Sequence, residues 1–285
     1  MLKDILDLMK LKKQLQTLLE DKLDGELMNK LPSGYSIIGD IAIFRHIDQE
    51  LNYYKQDIGN IVIDIDPQVN VVIEQFSTDS NYRKPQIIHL AGEERTTTKH
   101  TEYSTIFNID VAKITFSPGN KGERGYLINT VKNNEIIVDM FACAGNLSLP
   151  IVKNNSTVKC YGIEMNVEAY NFLVRNIEEN KIKDKYFPIL GDNRDKTPKD
   201  IASRVLMGYF ESDTKQLFRA VNAINKKGWI HYHTIIQRGK IEDAVKAVTS
   251  QIKSLKCEFS IKEKRQIKKF SPRLIHYCFD CFVQK

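Results

Sequence analysis

The amino-acid sequence predicts an α/β protein whose Rossmann-like, doubly wound sheet follows a small mixed α+β domain. From Lys121 onward, short β-branched runs alternate with amphipathic segments of helical length, the pattern of a parallel sheet covered by helices. Two long strand-like runs, 257–269 and 274–284, end the chain with only a short Ser-Pro turn between them, which predicts an antiparallel hairpin. A chain of 285 residues with 42% hydrophobic content is long enough for one large and one small domain.

Residues 1–31 are predicted to form an N-terminal helical segment. The apolar residues between positions 2 and 31 recur near a 3.6-residue period, and Pro32-Ser33-Gly34 is expected to end the helix. Its lysines lie on the other face, where a solvated surface is a simpler explanation than a nucleic-acid-binding arm. The periodic residues are Leu2, Ile5, Met9, Leu15, Leu18, Leu19, Leu23 and Leu27.

Residues 32–116 are predicted to form the small mixed domain. The runs IIGDIAIF, NIVIDI and NVVIEQF have the composition of strands and are separated by turn residues. The polar stretch Arg83–Tyr103 predicts a loop, suited either to phosphate contacts or to ordinary solvation. Residues 106–116 then predict a further pair of strands.

Residues 117–285 are predicted to form the Rossmann-like domain. Its layout, an open α/β sheet ending in a hairpin, is that of the seven-stranded S-adenosylmethionine-dependent transferases. The domain is predicted to begin with a helix, 122–132, and a strand, 136–139. The elements predicted to follow are strand 158–163, helix 166–180, strands 186–190 and 204–208, helix 213–225, strand 229–234 and helix 241–255.

The stretch Glu135–Ser148 predicts a nucleotide-binding crevice. A short buried strand ends at Asp139 and is followed by a loop of small residues, Ala142 to Gly145, before an apolar helix begins. Small side chains let the backbone approach a ligand closely. The pattern is weak alone, because only Gly145 remains of the usual glycine-rich fingerprint.

Acidic residues follow three successive predicted strands, at Asp139, Glu164 and Gly191-Asp192-Asn193. Ligands of such sheets bind at the carboxyl ends of the strands, where a carboxylate can accept both ribose hydroxyls and an Asp-Asn pair can contact adenine. Each residue has an ordinary alternative as a turn former, a helix stabiliser or a loop acid. Their shared position favours an adenosyl ligand.

The fourth strand end and the segment before the sheet bear on the reaction. Val205–Phe210 lacks the Asn or Asp followed by prolines that methyltransferases acting on amino nitrogens commonly carry, although Tyr209 or Phe210 can stack on a purine or simply pack. The segment FSPGNKGER combines a turn, a helix start and Arg124, which suits a carboxylate such as that of S-adenosylmethionine.

These motifs resemble one known family. FSPGNKGERG, IVDMFACAGNLSLP, YGIEMN, GDNR, RVLMGY and GWIHYH are together similar to the wybutosine-synthesising tRNA aminocarboxypropyltransferases, which are related to the tRNA guanine-37 N1-methyltransferases. The resemblance extends from Pro32 to the end of the chain. It implies transfer of the 3-amino-3-carboxypropyl group of S-adenosylmethionine to C7 of 4-demethylwyosine at position 37 of tRNA(Phe), with release of methylthioadenosine.

The resemblance also implies a set of cofactor-binding residues. With Asp139 and its loop, the predicted set is Ser117, Arg124, Asp139, Phe141, Ala142, Glu164, Asp192 and Asn193. The sulfonium of S-adenosylmethionine carries three carbons open to attack, and the carbon in line with the nucleophile reacts. We hypothesise that Ser117 and Arg124 set the pose that presents the aminocarboxypropyl carbon. No residue stands out as a general base.

Charge, apolar runs and cysteine and histidine spacing bear on partners, membrane spans, cellular location and metal binding. The net charge of +6 permits a polyanionic partner without requiring one. No apolar run of about 18 residues predicts a membrane span, and an odd set of five scattered cysteines favours a reducing cytoplasm. His231 and His233 lack an evident third metal ligand, and Cys278 and Cys281 should point to opposite strand faces, so we expect no metal.

The predicted partner is the anticodon loop of tRNA(Phe), and a monomer is favoured. The segment KEKRQIKKFSPR, with six basic residues and one acid, is either a guarded edge strand or a phosphate contact. Two alternatives stay open: a tRNA guanosine-37 N1-methyltransferase, and a non-catalytic RNA-binding module with a vestigial cofactor fold. FSPGN and MGY argue against the first, and the intact strand-end residues against the second.

Overall fold

The computed structural model describes residues 9–78, 84–252 and 257–285. The chain divides into two compact units, a smaller one of residues 1–100 and 108–118 and a larger one of residues 101–107 and 119–285. The sequence-based division at 31/32 and 116/117 stays a prediction. Of the predicted elements, positions 1–8, Arg83 and 253–256 lie outside the described residues. None of the described helices combines the length and the apolarity that a membrane span requires.

The smaller unit contains a four-stranded sheet in the order β1-β2-β3-β4. The strands β1 and β2 form an antiparallel hairpin, β2 and β3 are parallel, and β4 returns antiparallel to β3. A short 3-10 helix, Gln49–Tyr54, precedes the crossover helix. The elements are α1 (Leu11–Leu18), α2 (Gly25–Lys30), β1 (Ser36–Ile38), β2 (Ile41–Arg45), α3 (Lys55–Ile65), β3 (Val71–Thr78) and β4 (Pro85–Gly92).

The predicted single helix over residues 2–31 is wrong within the described residues, because α1 ends at Leu18 and α2 begins at Gly25. Asp24 caps α2, and its carboxylate accepts the backbone N–H groups of Glu26 and Leu27 at 3.0 and 2.9 Å. Leucines on both sides of the break are buried in one core. Because the helical spacing of apolar residues continues across the turn, the spacing alone did not predict the break between the two helices.

The run NIVIDI, predicted as a strand, forms the second half of α3. Because β2 and β3 are parallel, the chain needs a crossover between them, and a helix is the usual one. Ile58 and Val62 are buried at helical spacing, and Gly59 lies so close to β4 that a Cβ there would stand 2.9 Å from the Cβ of Ala91. A short apolar run does not distinguish a buried strand from a helix.

The predicted loop over 83–103 is also wrong, because it contains β4 and all of β5 (Thr97–Glu102). Residues 106–116 contain one strand, β6 (Thr105–Asp110), which pairs with β5, in place of the predicted strand pair. Every residue of β5 is polar, and the apolar residues of β4 are interrupted by His89, so neither strand has a long apolar run. Arg95 forms ion pairs with Asp40 and Glu93.

The larger unit contains the predicted seven-stranded sheet, in the order β12-β13-β11-β10-β7-β8-β9. The five neighbouring strands β11, β10, β7, β8 and β9 are parallel. The strand β13 pairs antiparallel with both β11 and β12. The elements are α4 (Lys121–Thr130), β7 (Ile136–Asp139), α5 (Ser148–Asn154), β8 (Lys159–Glu164), α6 (Val167–Glu179), β9 (Tyr186–Leu190), α7 (Asn193–Lys196), β10 (Ala202–Met207), α8 (Thr214–Ala223), β11 (Ile224–Gln237), α9 (Ile241–Ile252), β12 (Glu258–Lys269) and β13 (Leu274–Gln284).

The α/β fold class and the terminal hairpin are thus confirmed. The differences are at the margins: β11 begins at Ile224 instead of Trp229, and the short helix α7 was not predicted. The strands of the sheet bury Val138, Val205 and Ile230 completely, with α8 packed over them. Because this core has the period-2 and period-3.6 patterns of ordinary strands and helices, the sequence specified it directly.

A buried ion pair joins the β5–β6 turn region to the first turn of α4 within the larger unit. Arg124 is 0% exposed and donates from Nε and Nη2 to both carboxylate oxygens of Glu102, at 2.6 and 2.9 Å. Bidentate geometry of this kind neutralises both buried charges.

Arg124→Met is expected to destabilise the larger unit by about 3–5 kcal/mol, because buried Glu102 then loses the guanidinium that binds both of its oxygens. The double variant with Glu102→Gln should recover most of that loss, since the amide carries no charge. Urea unfolding followed by circular dichroism measures both. A single variant within about 1 kcal/mol of the natural chain would contradict the assignment.

Candidate functional site

The crevice that the sequence predicts belongs at the carboxyl edge of the large sheet, where the strand order reverses around β7. The neighbours of β7 are β8 on one side and β10 on the other, and all three strands are parallel. Their last residues, Asp139, Glu164 and Met207, are therefore placed at the same edge. This is the position at which open α/β sheets bind their ligands.

The loop after β7 is a tight turn held by backbone hydrogen bonds. The N–H of Ala142 donates to the carbonyl of Ile163 at 2.9 Å, and the N–H of Gly145 donates to the carbonyl of Ala142 at 2.7 Å. Gly145 has φ +91°, and a Cβ there would stand 1.9 Å from Cδ1 of Leu149. Only glycine satisfies both conditions.

Glu164 orders this loop from the end of β8. Its Oε2 accepts the N–H of Cys143 at 2.8 Å, and its Oε1 accepts the N–H of Asn166 at 2.7 Å. Burial raises the pKa of Glu164 above its usual range, against these hydrogen bonds, which favour the ionised form. A carboxylate oxygen can accept more than one hydrogen bond, so the group keeps acceptor capacity for the two hydroxyls of a ribose.

Asp139 is almost fully buried beneath the loop and supports it from inside. It accepts hydrogen bonds from the N–H of Phe141 at 3.1 Å and from the hydroxyl of Ser148 at 2.7 Å. The Ser148 hydroxyl also lies 2.6 Å from the hydroxyl of Tyr186. Burial raises the pKa of Asp139 to about 6. The structure therefore gives this residue a role in shaping the loop; its predicted contact with the cofactor stays a prediction.

Asp192 and Asn193 follow β9 and are both engaged. Asp192 caps α7, and its carboxylate accepts the backbone N–H of Arg194 at 2.8 Å. The same carboxylate pairs with the guanidinium of Arg194 at 3.0 Å. Asn193 donates to the carbonyl of Met140 at 2.8 Å and accepts from Gln216 at 2.9 Å. Asn193 thus ties the end of β9 to the loop after β7, and the predicted adenine contacts stay predictions.

Apolar and aromatic side chains complete the proposed crevice rim, and two of them, Met165 and Leu190, were not predicted. Met165 and Leu190, directly after β8 and at the end of β9, are 48% and 43% exposed. Their signal in the sequence was position alone, next to the strand-end acids. Phe141 stacks on Tyr209, with ring centroids 5.4 Å apart. A flat base can therefore find apolar contacts beside the carboxylate of Glu164.

Two predicted residues, Ser117 and Arg124, precede the sheet in the chain and belong to neither its strands nor the loops after them. Ser117 is half-buried in the smaller unit, directly before the turn Pro118–Asn120. Arg124 is enclosed in α4, and its guanidinium is bound to Glu102. Their predicted contact with the carboxylate of the cofactor is untested and stays a prediction.

His231 and His233 do have acidic and thiol neighbours, contrary to the sequence prediction. Arg204 donates to Nε2 of His231, so Nδ1 carries the proton and donates to Asp280 at 2.7 Å. Arg204 pairs with Glu135, and Arg265 pairs with both Asp280 and Glu123. The resulting chain of buried side chains, which we call the buried ionic network, is Glu135, Arg204, His231, Asp280, Arg265 and Glu123.

His233 extends this network toward the carboxyl edge. Its Nδ1 lies 2.9 Å from Nε2 of His276, and its Nε2 lies 3.7 Å from Glu123. Donor atoms of Glu123, His233 and Cys278 lie within 4.8 Å of one another, a spacing compatible with a metal ion. The guanidinium of Arg265 already neutralises Glu123, which opposes a second cation there. The expectation of no metal stays a prediction.

Comparison with known proteins identifies related sequences over most of the chain. The family model described as TRM5/TYW2 methyltransferase domain matches residues 98–260, and the TYW2 N-terminal domain model matches residues 15–96. The tRNA(Phe) (4-demethylwyosine(37)-C(7)) aminocarboxypropyltransferase of Methanocaldococcus jannaschii is 34% identical, over 88% of this chain and 98% of that protein. The tRNA (guanine(37)-N(1))-methyltransferase Trm5b of the same organism is 32% identical, over 88% of this chain and 71% of that protein.

A solved structure has the same fold. The crystal structure of P. horikoshii TYW2 in complex with MeSAdo superposes with a TM-score of 0.80 at 30% identity, covering 96% of this chain and 99% of that chain.

Stability is expected to fall as the pH decreases below about 6.5. Burial lowers the pKa of His233 and of His276 to about 3, so between these values the unfolded state binds protons that the folded state does not. Each histidine contributes a slope of up to about 1.4 kcal/mol per pH unit, and Asp139, with its raised pKa, opposes them below pH 6. Urea unfolding from pH 7.5 to 5.5 measures the slope, and His276→Gln should make it shallower; an unchanged slope would contradict this origin.

Gly145→Ala is expected to destabilise the chain and to abolish binding of S-adenosylhomocysteine, because the added Cβ meets Leu149 and distorts the loop. Gly239→Ala is the matched control, since Gly239 has φ +84° but no atom within 4 Å of the added Cβ. The control should cost only about 1 kcal/mol for its backbone conformation. Titration calorimetry and urea unfolding compare the two variants, and equal effects would rule out the steric explanation.

Proposed function

Because the chain belongs to the TRM5/TYW2 methyltransferase family, we propose that it is an S-adenosylmethionine-dependent transferase that modifies tRNA. The reaction that we propose is transfer of the 3-amino-3-carboxypropyl group to C7 of 4-demethylwyosine at position 37 of tRNA(Phe), as the name of its M. jannaschii relative states for that protein. Methylthioadenosine is the expected by-product.

One observation carries the choice between the two activities of the family. The region before the transferase domain, residues 15–96, matches the N-terminal domain of TYW2 proteins. The aminocarboxypropyltransferase relative is also aligned along nearly its whole length, over 98% of its residues. The similarity to this branch therefore includes the smaller unit as well as the catalytic fold.

The residues of the crevice fit an adenosyl group. Glu164 has acceptor capacity beside the loop after β7, in which position 145 requires glycine. Exposed Met165 and Leu190 offer apolar contacts for a base. We propose that Glu164 holds the ribose, that Asp192 and Asn193 border the adenine, and that the loop from Asp139 through Phe141 and Ala142 holds the nucleoside by its backbone.

When bound, S-adenosylmethionine supplies a sulfonium with three electrophilic carbons, and its pose selects the carbon that is transferred. The protein's part is positioning. We propose that Ser117 and Arg124 orient the amino-acid end of the cofactor, with Arg124 acting from inside α4, where Glu102 holds its guanidinium. Phe141 and Tyr209, stacked on each other, form a flat surface beside the loop on which a purine-like base can pack.

The remaining parts of the proposal concern partner and location. We propose the anticodon loop of tRNA(Phe) as the substrate, since the family's named substrates are tRNAs. The five cysteines are free thiols, consistent with the proposed cytoplasmic location. The proposed state is a monomer without a metal ion.

A guanosine-37 N1-methyltransferase is the second candidate, because the Trm5b relative is 32% identical over 88% of this chain. The two activities transfer different groups from the same cofactor, so isotopic labels distinguish them.

The test uses S-adenosylmethionine labelled in the methyl group in one arm and in the carboxyl group in the other. With tRNA(Phe) carrying 4-demethylwyosine, the carboxyl label is expected to enter the RNA, while the methyl label leaves in methylthioadenosine. tRNA(Phe) with guanosine at position 37 is the control substrate and should accept neither label.

Methyl label in the guanosine control, with S-adenosylhomocysteine released, would replace the proposal by the methyltransferase. If neither label enters either RNA while the tRNA still binds, the chain is an RNA-binding module.

Glu164→Ala is expected to weaken S-adenosylmethionine binding by about a hundredfold, because it removes two hydrogen bonds to a charged group and the anchor of the Cys143 N–H. Glu178→Ala is the control, since Glu178 is an exposed acid whose side chain pairs with Lys183 on the surface of the same unit. Titration calorimetry measures both. Equal affinities would exclude Glu164 from the cofactor site.

A further inference from the structure

The tip of the terminal hairpin carries a half-exposed aromatic ring surrounded by cations. Phe270 lies between β12 and β13, and its side chain is 50% exposed. Lys269 and Arg273 flank it and are exposed, as is Arg238 in the loop after β11. We call these four residues the hairpin patch. An exposed aromatic ring beside cations offers a face on which a base can stack next to groups that bind phosphate.

The hairpin patch lies at the same edge of the sheet as the crevice. Since β11 is parallel to β10 and antiparallel to β13, the end of β11 and the start of β13 are at the carboxyl edge. Because β12 is antiparallel to β13, its last residue, Lys269, is there as well. The topology of one rigid sheet thus places the patch on the side where the cofactor is proposed to bind.

A short run of aromatic residues connects the patch with the cofactor loop. The ring of Phe270 meets that of Phe210 edge-on, with centroids 5.9 Å apart. The preceding residue, Tyr209, stacks on Phe141 of the loop after β7. Phe210 also packs against His276 at 4.6 Å, which fixes it to β13. Phe270 is therefore two aromatic contacts and one peptide bond away from the proposed cofactor loop.

Hydrogen bonds hold the backbone of the hairpin patch in one conformation. The N–H groups of Phe270 and Ser271 donate to the carbonyl of Leu274 at 2.9 and 3.1 Å, and the N–H of Arg238 donates to the carbonyl of Arg273 at 2.9 Å. The side chain of Lys268 lies against the start of α4, where a Cβ on Gly119 would stand 3.1 Å from its Cδ. A backbone held in this way has little backbone entropy left to lose when the patch binds a partner.

Among the described residues, the cations of the hairpin patch form no ion pairs. Lys264 and Arg265 of the same hairpin are neutralised by Glu242 and by Glu123 with Asp280. Within residues 9–78, 84–252 and 257–285, by contrast, no carboxylate pairs with Arg238, Lys269 or Arg273. The segment 262–273 contains six basic residues and one acid, so the charge favours a polyanion.

An exposed aromatic ring among unpaired cations is the arrangement by which proteins bind single-stranded nucleic acid: bases stack on the ring and phosphates contact the cations. We propose that the hairpin patch binds the unpaired nucleotides next to the target base, with one base stacked on Phe270 and the backbone phosphates on Lys269, Arg273 and Arg238. This inference rests on the proposed function for the identity of the RNA.

Stacking of a base on an aromatic ring accounts for a tenfold to hundredfold change in affinity, and each phosphate contact on a single strand adds about 0.7 to the salt slope. Phe270→Ala is therefore expected to weaken binding of the tRNA(Phe) anticodon stem-loop by about tenfold to hundredfold, and Phe270→Trp should restore it. Lys269→Ala with Arg273→Ala should reduce the slope of log affinity against log salt by about 1.4.

The matched control is Lys226→Ala with Lys227→Ala, two exposed lysines near the start of β11 at the opposite edge of the sheet. Fluorescence anisotropy on the full chain measures RNA affinity at several salt concentrations. Calorimetry with S-adenosylhomocysteine should give the natural affinity for every variant, which shows that the fold and the crevice are intact.

Hairpin variants that bind the stem-loop no differently from the lysine control would overturn the inference. So would binding of anionic phospholipid vesicles that depends on Lys269 and Arg273 while RNA binding does not. The outcome is separable from that of the proposed function: a natural chain that transfers carboxyl label while the hairpin variants behave normally refutes only this inference. A natural chain that binds RNA through the patch but transfers no label refutes only the proposed chemistry.

Discussion

The larger unit depends on the mutual neutralisation of charges that its sheet buries. The buried ionic network runs across one face of the sheet, from β10 through β11 and β13 to β12, and includes α4. Any one of these charges left without its partner would cost several kcal/mol, a large part of the stability of a typical domain. The terminal hairpin is therefore held in a single register against the parallel strands, since a shift would break several pairs at once.

This constraint determines what stands at the carboxyl edge. With the hairpin fixed, Phe270 and Phe210 meet, and the aromatic contacts continue to the loop after β7. The crevice itself is built mainly from backbone groups: Glu164 orders the loop by accepting the N–H of Cys143, and Asp139 supports it from below. Asp139 and Glu164, which the sequence predicted as ligand-binding residues, thus also support the loop on which the ligand is proposed to lie.

The accuracy of the sequence-based predictions followed the burial of each element. Apart from the short helix α7, which was not predicted, the strands and helices from β7 to β13 were located to within a few residues, because buried parallel strands are apolar runs and their helices keep a 3.6-residue period. In the smaller unit the same rules failed. The apolar run of α3 has the composition of a strand, β5 is polar throughout, and the apolar residues of β4 are interrupted by His89.

The sequence by itself determined the fold class, the strand-end positions of Asp139, Glu164 and Asp192, and the resemblance that names the family, because these depend on residue order and local periodicity. Only the tertiary structure decided which charges neutralise one another. Arg265 and Glu123 are 142 residues apart in the chain and form an ion pair in the fold. Arg124, which sequence reasoning assigned to a ligand, is bound by Glu102. A charged side chain pairs with whatever the packed chain brings near it, and that proximity arises only when distant segments fold together.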